Sequence, residues 1–396
     1  MKIGAVFIFA ASLLSLACTT SESNNKPSTN LTPALGKVAK RWSPSPRADH
    51  TALWTEHGML VYGGRLEERF GQKITGGGIY NPTSDSWRPI SSAERNPENI
   101  VHHSAVWTGE SLIVWGGQDL NQGQVTDLGL SYDPKLDEWK AINREGAPSP
   151  RAGQSTVWTG KVMMVWGGED SHEEFRNGGI YAPKRDRWWS IDLANAPKSR
   201  SFHSAVWTGQ EMIIFGGYHQ GVAAQGGAKY NPKTKEWASL SGEGAPSPRI
   251  GHTAVWTGEH MIVWGGEDGA GRFHNDGYRY DPKKDLWTPL SSSKRPSPRA
   301  LHTALWTGNA MVILGGTSHF KSSKNSGAIY DPEKDQWTRF TLKGTARSLH
   351  SAVWTGEKIV VYGGRRNNEI FVRGRMLGFS LAHDRFLKLP IEMKGH

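Results

Sequence analysis

Residues 249–290 read RIGHTAVWTGEHMIVWGGEDGAGRFHNDGYRYDPKKDLWTPL, and this stretch decides the fold. Residues 252–257 suit a short strand, which Gly258-Glu259 turns back as a tight hairpin. Met261-Ile262-Val263-Trp264 is a continuous apolar run, the pattern of a strand buried on both faces. Gly265-Gly266 ends it, and a polar loop leads to a third strand at residues 278–280. Asp281-Pro282-Lys283-Lys284-Asp285 carries the Asx-Pro chemistry of a turn, and residues 286–290 form a fourth strand. One such unit is an antiparallel sheet of four strands.

The unit recurs. Gly-Gly pairs end an apolar run at Gly63, Gly116, Gly167, Gly216, Gly265, Gly315 and Gly363, spaced 48 to 53 residues apart. Trp-Thr-Gly keeps step with them at Trp107, Trp158, Trp207, Trp256, Trp306 and Trp354, and Trp54-Thr55-Glu56 is a deviant first copy. Tyr-Asx-Pro follows at Tyr80, Tyr132, Tyr230, Tyr280 and Tyr330, with Tyr181-Ala182-Pro183 close to it. An Asp then stands two residues before a Trp at Asp85, Asp137, Asp186, Asp285 and Asp335. A period of this length belongs to repeat architectures in which each unit buries its faces only against its neighbours.

These columns resemble the kelch-repeat β-propeller family over roughly residues 43–390, an architecture shared by the central domain of galactose oxidase. The resemblance implies an all-β, seven-bladed kelch-type β-propeller, with four antiparallel strands per blade, over residues 43–396. The last unit is degenerate, having Phe379 and Phe386 where Tyr and Trp should stand; residues 375–382 and 386–391 can still supply its outer strands. How the ring closes is left open, and residues 37–42 are a candidate to pair with the last blade. The copper centre of galactose oxidase needs a Tyr–Cys crosslink. Cys18 is the only cysteine and lies outside the repeats, so no such cofactor is expected.

The N-terminus has its own character. Met1-Lys2, an apolar run over residues 3–14 and Ser15-Leu16-Ala17-Cys18 describe a secretory signal too short to span a bilayer. The segment resembles the lipobox of bacterial lipoproteins, departing from it at Ser15, where Leu is usual. This implies a signal peptide over residues 1–17 and lipidation at Cys18. Residues 18–42, rich in Ser, Thr, Asn and Pro, then read as a flexible tether. By the same resemblance Thr19, standing where Asp would retain the protein at the inner membrane, implies an outer-membrane or periplasm-facing lipoprotein of the bacterial cell envelope, held at the membrane by its anchor alone.

The composition, with 47 glycines and 18 tryptophans in 396 residues, fits recurring turns and flat packing faces. A formal net charge of +10 favours anionic partners, but the charges are dispersed and export argues against nucleic acid. Before each first strand stands Arg-x-x-His-Ser/Thr: Arg47/His50, Arg200/His203, Arg249/His252, Arg299/His302 and Arg347/His350, with Ile100/His103 and Arg151/Gln154 as variants. In kelch propellers this strand is innermost, so the resemblance places Arg47, Arg151, Arg200, Arg249, Arg299 and Arg347 around one channel mouth, where guanidinium groups would take a carboxylate or sulfate. The bland alternative is that every blade needs the column for its own backbone.

The loops after Gly-Gly add Glu169, Glu267, Phe175 and Phe273 as candidate ligand contacts, acidic and aromatic groups at a concave surface. Arg65 to Phe70, Tyr218-His219 and residues 272–276 belong to the same loops. No metal-binding or nucleophile motif is present, and alternation sends His102 and His103 to opposite faces of a strand. The expected function is a monomeric binding or scaffold module for an anionic small molecule, a carbohydrate or a protein. The alternative is a sugar mutarotase or epimerase resembling the bacterial sialic-acid mutarotases, with Glu169 or Glu267 as acid or base and Arg151 or Arg249 on the substrate carboxylate.

Overall fold

The computed structural model describes residues 42–65, 76–92, 99–319, 322–341, 346–367, 369–370, 377–382 and 385–388. The expected signal peptide over residues 1–17, Cys18, the expected tether up to Arg41 and the residues from Leu66 to Phe70 lie outside the described residues.

The described residues form seven four-stranded antiparallel sheets, one per repeat, with small two- and three-stranded ribbons in the loops. In the fifth sheet Thr253–Trp256, Met261–Trp264, Gly277–Asp281 and Leu286–Pro289 pair in that order, with Trp256 opposite Met261 and Tyr280 opposite Trp287. The second strand of the first six sheets is buried throughout, and that of the seventh from Ile359 onward, because residues on both its faces meet neighbouring sheets. Met164, Trp166, Met212, Ile214 and Trp237 form one such interface, between the third and fourth sheets. Met59, Val61 and Tyr80 of the first sheet pack in the same way against Val353, Val360 and Tyr362 of the seventh.

The repeat columns prove to be the connectors between sheets. The fourth-strand Trp donates its indole N–H to a carbonyl of the preceding sheet: Trp139 to Ser91, Trp188 to Asn143, Trp237 to Asp192, Trp287 to Ser241 and Trp337 to Ser291, at 2.8–3.1 Å. The turn Asp accepts twice. Asp285 Oδ1 takes the Tyr280 hydroxyl at 2.6 Å and the Ser241 N–H of the preceding sheet at 2.8 Å. Asp137, Asp186 and Asp335 repeat this arrangement.

The second glycine of each Gly-Gly pair donates its N–H to the carbonyl that opens the next sheet, as from Gly266 to Arg299 and from Gly316 to Arg347. The seventh sheet makes the same bond to the first, from Gly364 to Arg47 at 2.8 Å. The Tyr362 hydroxyl also donates to Pro44 at 2.9 Å, so the segment before the first strand is held by the seventh sheet.

The first glycine of the pair is required for space as well as conformation. At Gly315 (φ +61°) a Cβ would sit 2.4 Å from the Arg347 carbonyl oxygen and 2.8 Å from His350 Cε1. Gly315→Ala should therefore cost about 4 kcal/mol or more in urea denaturation. Gly109→Ala, at φ +96° with nothing within 4 Å, should cost only about 1 kcal/mol. Equal losses at the two positions would contradict the role of close packing at Gly315.

Candidate functional site

The start of each inner strand carries three kinds of side chain, and the fold assigns each a different task. The arginines are used inside the protein. Arg47, Arg151, Arg200, Arg249, Arg299 and Arg347 are all at most 4% exposed. Each donates Nη1 to the carbonyl of the first glycine of its own Gly-Gly pair, at 2.8–3.1 Å. Most also clip the start of the third strand: Arg151 through Asn177 O, Arg200 through Gly226 O, Arg299 through Ser326 O. At Arg249 a carboxylate takes that place, with Asp276 Oδ1 at 3.1 Å.

Burial lowers the guanidinium pKa of Arg151, Arg200 and Arg299 to about 10, which leaves them charged at neutral pH. The arginines expected to ring a mouth are thus bonded within the protein, where backbone carbonyls left over at two strand ends accept from the guanidinium groups.

The histidines stitch neighbouring sheets. The imidazole Nε2 of His103 meets Thr51 Oγ1 at 2.9 Å, and those of His203, His252 and His302 meet Ser155, Ser204 and Thr253 at 2.6–2.9 Å. His50 meets Ser351 of the seventh sheet at 2.5 Å. Gln154 replaces the imidazole in the third sheet and donates to Trp115 O at 3.2 Å. Burial depresses the imidazoles: His252 to about 3, His103 to about 4, and His50, His203, His302 and His350 well below the usual value.

The loop candidates divide. Phe175 is buried, with the Arg151 guanidinium 4.1 Å from its ring. Phe273 is half-buried beside His319. Glu169 and Glu267 are half-buried and bridge Ala152 and Ile250 through their backbones. Burial raises the Glu169 carboxyl, which also accepts the Ser201 hydroxyl at 2.8 Å, and burial with the neighbouring Asp268 raises Glu267. Glu174 pairs with His219 at 3.1 Å nearby. Among the described residues no group of three or more His, Cys, Asp or Glu is placed to hold a metal ion.

The position the repeat leaves blank matters most. The third residue of Arg-x-x-His is Asp49, His102, Gly153, Phe202, Gly251, Leu301 or Leu349, and all seven have φ between +52° and +68°. They are linked from sheet to sheet by N–H···O bonds: Asp49 to Leu349, Leu349 to Leu301, Leu301 to Gly251, Phe202 to Gly153 and Gly153 to His102, at 2.7–3.3 Å. Asp49, His102, Leu301 and Leu349 border a cavity of about 310 Å³. Phe202 (41% exposed) lies over Gly153, where a Cβ would meet its ring at 3.0 Å, and its edge meets His102 at 5.0 Å. Sequence reasoning missed this column, and its two glycines are the one signal there of a left-handed slot.

Repeated four-stranded sheets joined by these columns define an all-β, β-propeller-like, kelch-repeat protein. The chain belongs to the KLHDC2/KLHL20/DRC7 Kelch-repeats domain family, whose model matches residues 28–217 and 203–395. It is similar to beta-scruin of Limulus polyphemus, at 30% identity over 156 residues, 37% of this chain and 16% of that protein. It is similar also to Ras guanine nucleotide exchange factor F of Dictyostelium discoideum, at 31% over 142 residues (34% and 12%). Kelch domain-containing protein 3 of Homo sapiens matches at 26% over 139 residues (32% and 36%). The matches therefore span between 12% and 36% of these relatives' own lengths.

Proposed function

We propose that the seven sheets are the blades of a closed propeller that works as an interaction module, gripping a partner protein at the mouth formed by Asp49, His102, Phe202, Leu301 and Leu349. Strain carries this reading. A left-handed residue other than glycine costs about 1 kcal/mol, and Gly153 and Gly251 occupy the same slot without that cost. Large apolar side chains are nevertheless kept there, and Phe202 and Leu301 remain 41% and 37% exposed. Apolar surface held out at a concave mouth is what a binding site uses. Closure is supported by two bonds between the seventh and first sheets: Gly364–Arg47, which repeats the bond made at every other joint, and His50–Ser351, which repeats the one made at most of them.

The test is Leu301→Gly in the full chain. It should keep or raise the melting temperature while weakening photo-crosslinking of partner protein at the mouth, and a probe at Leu136, on a strand-three hairpin tip, should capture none. A melting temperature several degrees lower, or undiminished crosslinking, would count against the reading. Glycan and peptide arrays separate a carbohydrate ligand from a protein one.

We also propose anchoring at Cys18 in the cell envelope, resting on the lipobox-like segment; labelled fatty acid that fails to enter the protein, or enters Cys18→Ser equally, rejects it. The mutarotase alternative keeps one supporting observation, the raised carboxyl of Glu169 beside Ser201. It has lost Arg151 and Arg249 to backbone carbonyls and Asp276. Absence of accelerated sialic-acid anomer exchange by NMR would end it.

A further inference from the structure

We propose that the mouth bordered by the first, second, sixth and seventh sheets binds a primary ammonium group carried on an apolar stem; this rests on the interaction reading above and names the chemistry of what is gripped. The histidine stitching fails at one joint. Between the sixth and seventh sheets, Thr303 turns its hydroxyl to the backbone oxygen of His350, at 3.1 Å, rather than to the imidazole. Both ring nitrogens of His350 are left without a hydrogen bond, although the residue is only 8% exposed. His350 borders the same cavity of about 310 Å³ as Asp49, His102, Leu301 and Leu349. A buried imidazole without partners is costly unless something else satisfies it.

The other polar groups at this cavity define that something. Asp49 is half-buried, and its carboxylate has no hydrogen bond or ion pair among the described residues. Burial holds His102 and His350 neutral, so each offers a lone pair as acceptor. An ammonium group has three donors, no acceptor and one positive charge, which suits one carboxylate and two imidazole lone pairs. A carboxylate or phosphate would be repelled by Asp49, and an alcohol would leave its charge unanswered. Leu301 and Leu349 flank the cavity and suit an alkyl stem.

Glu169 and Glu267, with Asp170 and Asp268 next to them, bridge onto the inner-strand starts of the third and fifth sheets, beside the sheets that border the cavity, while Arg65 and Arg365 hold the same place on the first and seventh. Arg65, beside Asp49 through the bridge to Ala48, is already engaged in an interaction of its own.

The group can come from a lysine side chain or from a chain N-terminus. Calorimetry on the full-length protein would use n-butylammonium as probe, with n-butanol and butyrate as controls. Two peptides would separate the sources: one N-acetylated with a single lysine, one with a free N-terminus and no lysine. Butylammonium should bind and the two controls should not. Asp49→Asn should weaken it about tenfold or more, since Asn accepts the left-handed conformation at φ +58° and removes only the charge. Equal binding of butanol, binding unchanged by Asp49→Asn, or no binding of butylammonium and either peptide would overturn the inference. If Leu301→Gly still abolishes partner crosslinking in that event, the interaction module stands and the ammonium assignment alone is lost.

Discussion

Acidification should unfold this protein between about pH 6 and pH 4, with the uptake of about six protons or more. Burial depresses the imidazoles of His50, His103, His203, His252, His302 and His350, all six in the same column. The unfolded chain restores them to 6.5 and so binds more protons than the folded one below that value. A depressed pKa contributes stability that is present above 6.5 and lost as pH falls toward the folded value, about 3 for His252. Each imidazole contributes about 1.4 kcal/mol per pH unit in that window, against a net stability of about 5–15 kcal/mol for a typical domain.

Glu169 and Glu267, raised by burial, act in the opposite sense and offset part of the loss. Circular dichroism against pH, with melting temperatures from pH 7 downward, gives the proton count. His252→Gln, which copies the native Gln154 of the third sheet, should lower that count by about one. A transition confined to the carboxylate range below pH 4, or a count unchanged by His252→Gln, would show that the imidazoles are not the acid-sensitive joints.

Truncating one buried arginine should cost about 3 kcal/mol or more. Arg299 uses all three of its guanidinium nitrogens. It donates Nε to Ser297 O at 3.1 Å, Nη1 to Gly315 O and Ser326 O at 2.8 Å, and Nη2 to the hydroxyls of Ser297 and Ser326 at 3.0 Å. Arg299→Ala leaves these acceptors unpaired in a site that is 1% exposed and opens a cavity between two strand ends. Arg299→Lys should recover little, because an ammonium cannot reproduce the planar fork that reaches both strands. The surface pair Lys334–Asp331, at 2.7 Å, provides the contrast: Lys334→Ala should change stability by about 0.5 kcal/mol or less. Urea midpoints at constant m-value report all three. A loss at Arg299 no larger than at Lys334 would make the arginine column a candidate for ligand contact again.

The repeat was legible because its signals are local. Apolar runs, Gly-Gly, Asx-Pro and the recurring Trp announce strands and turns within a few residues of themselves. In the fifth repeat the expected strands at residues 252–257 and 286–290 appear as Thr253–Trp256 and Leu286–Pro289. The candidate site was less legible, since identical residues in a column say that a position is needed and not what needs it. Arg299 finds its acceptors 16 and 27 residues ahead, and His203 meets a hydroxyl 48 residues behind. Only the folded sheets bring those groups within reach.

The sequence by itself determined seven units, four strands in each and the turn chemistry between them, because each depends on backbone preferences of nearby residues. The tertiary structure alone decided that the Arg and His columns are consumed in holding sheets together. It also decided that the unmatched residue between them takes one shared backbone conformation, which at Asp49, His102, Leu301 and Leu349 borders a cavity. That conformation is a left-handed φ repeated at seven positions, one that neither Phe202 nor Leu301 would choose by itself and that inter-sheet hydrogen bonds impose on both.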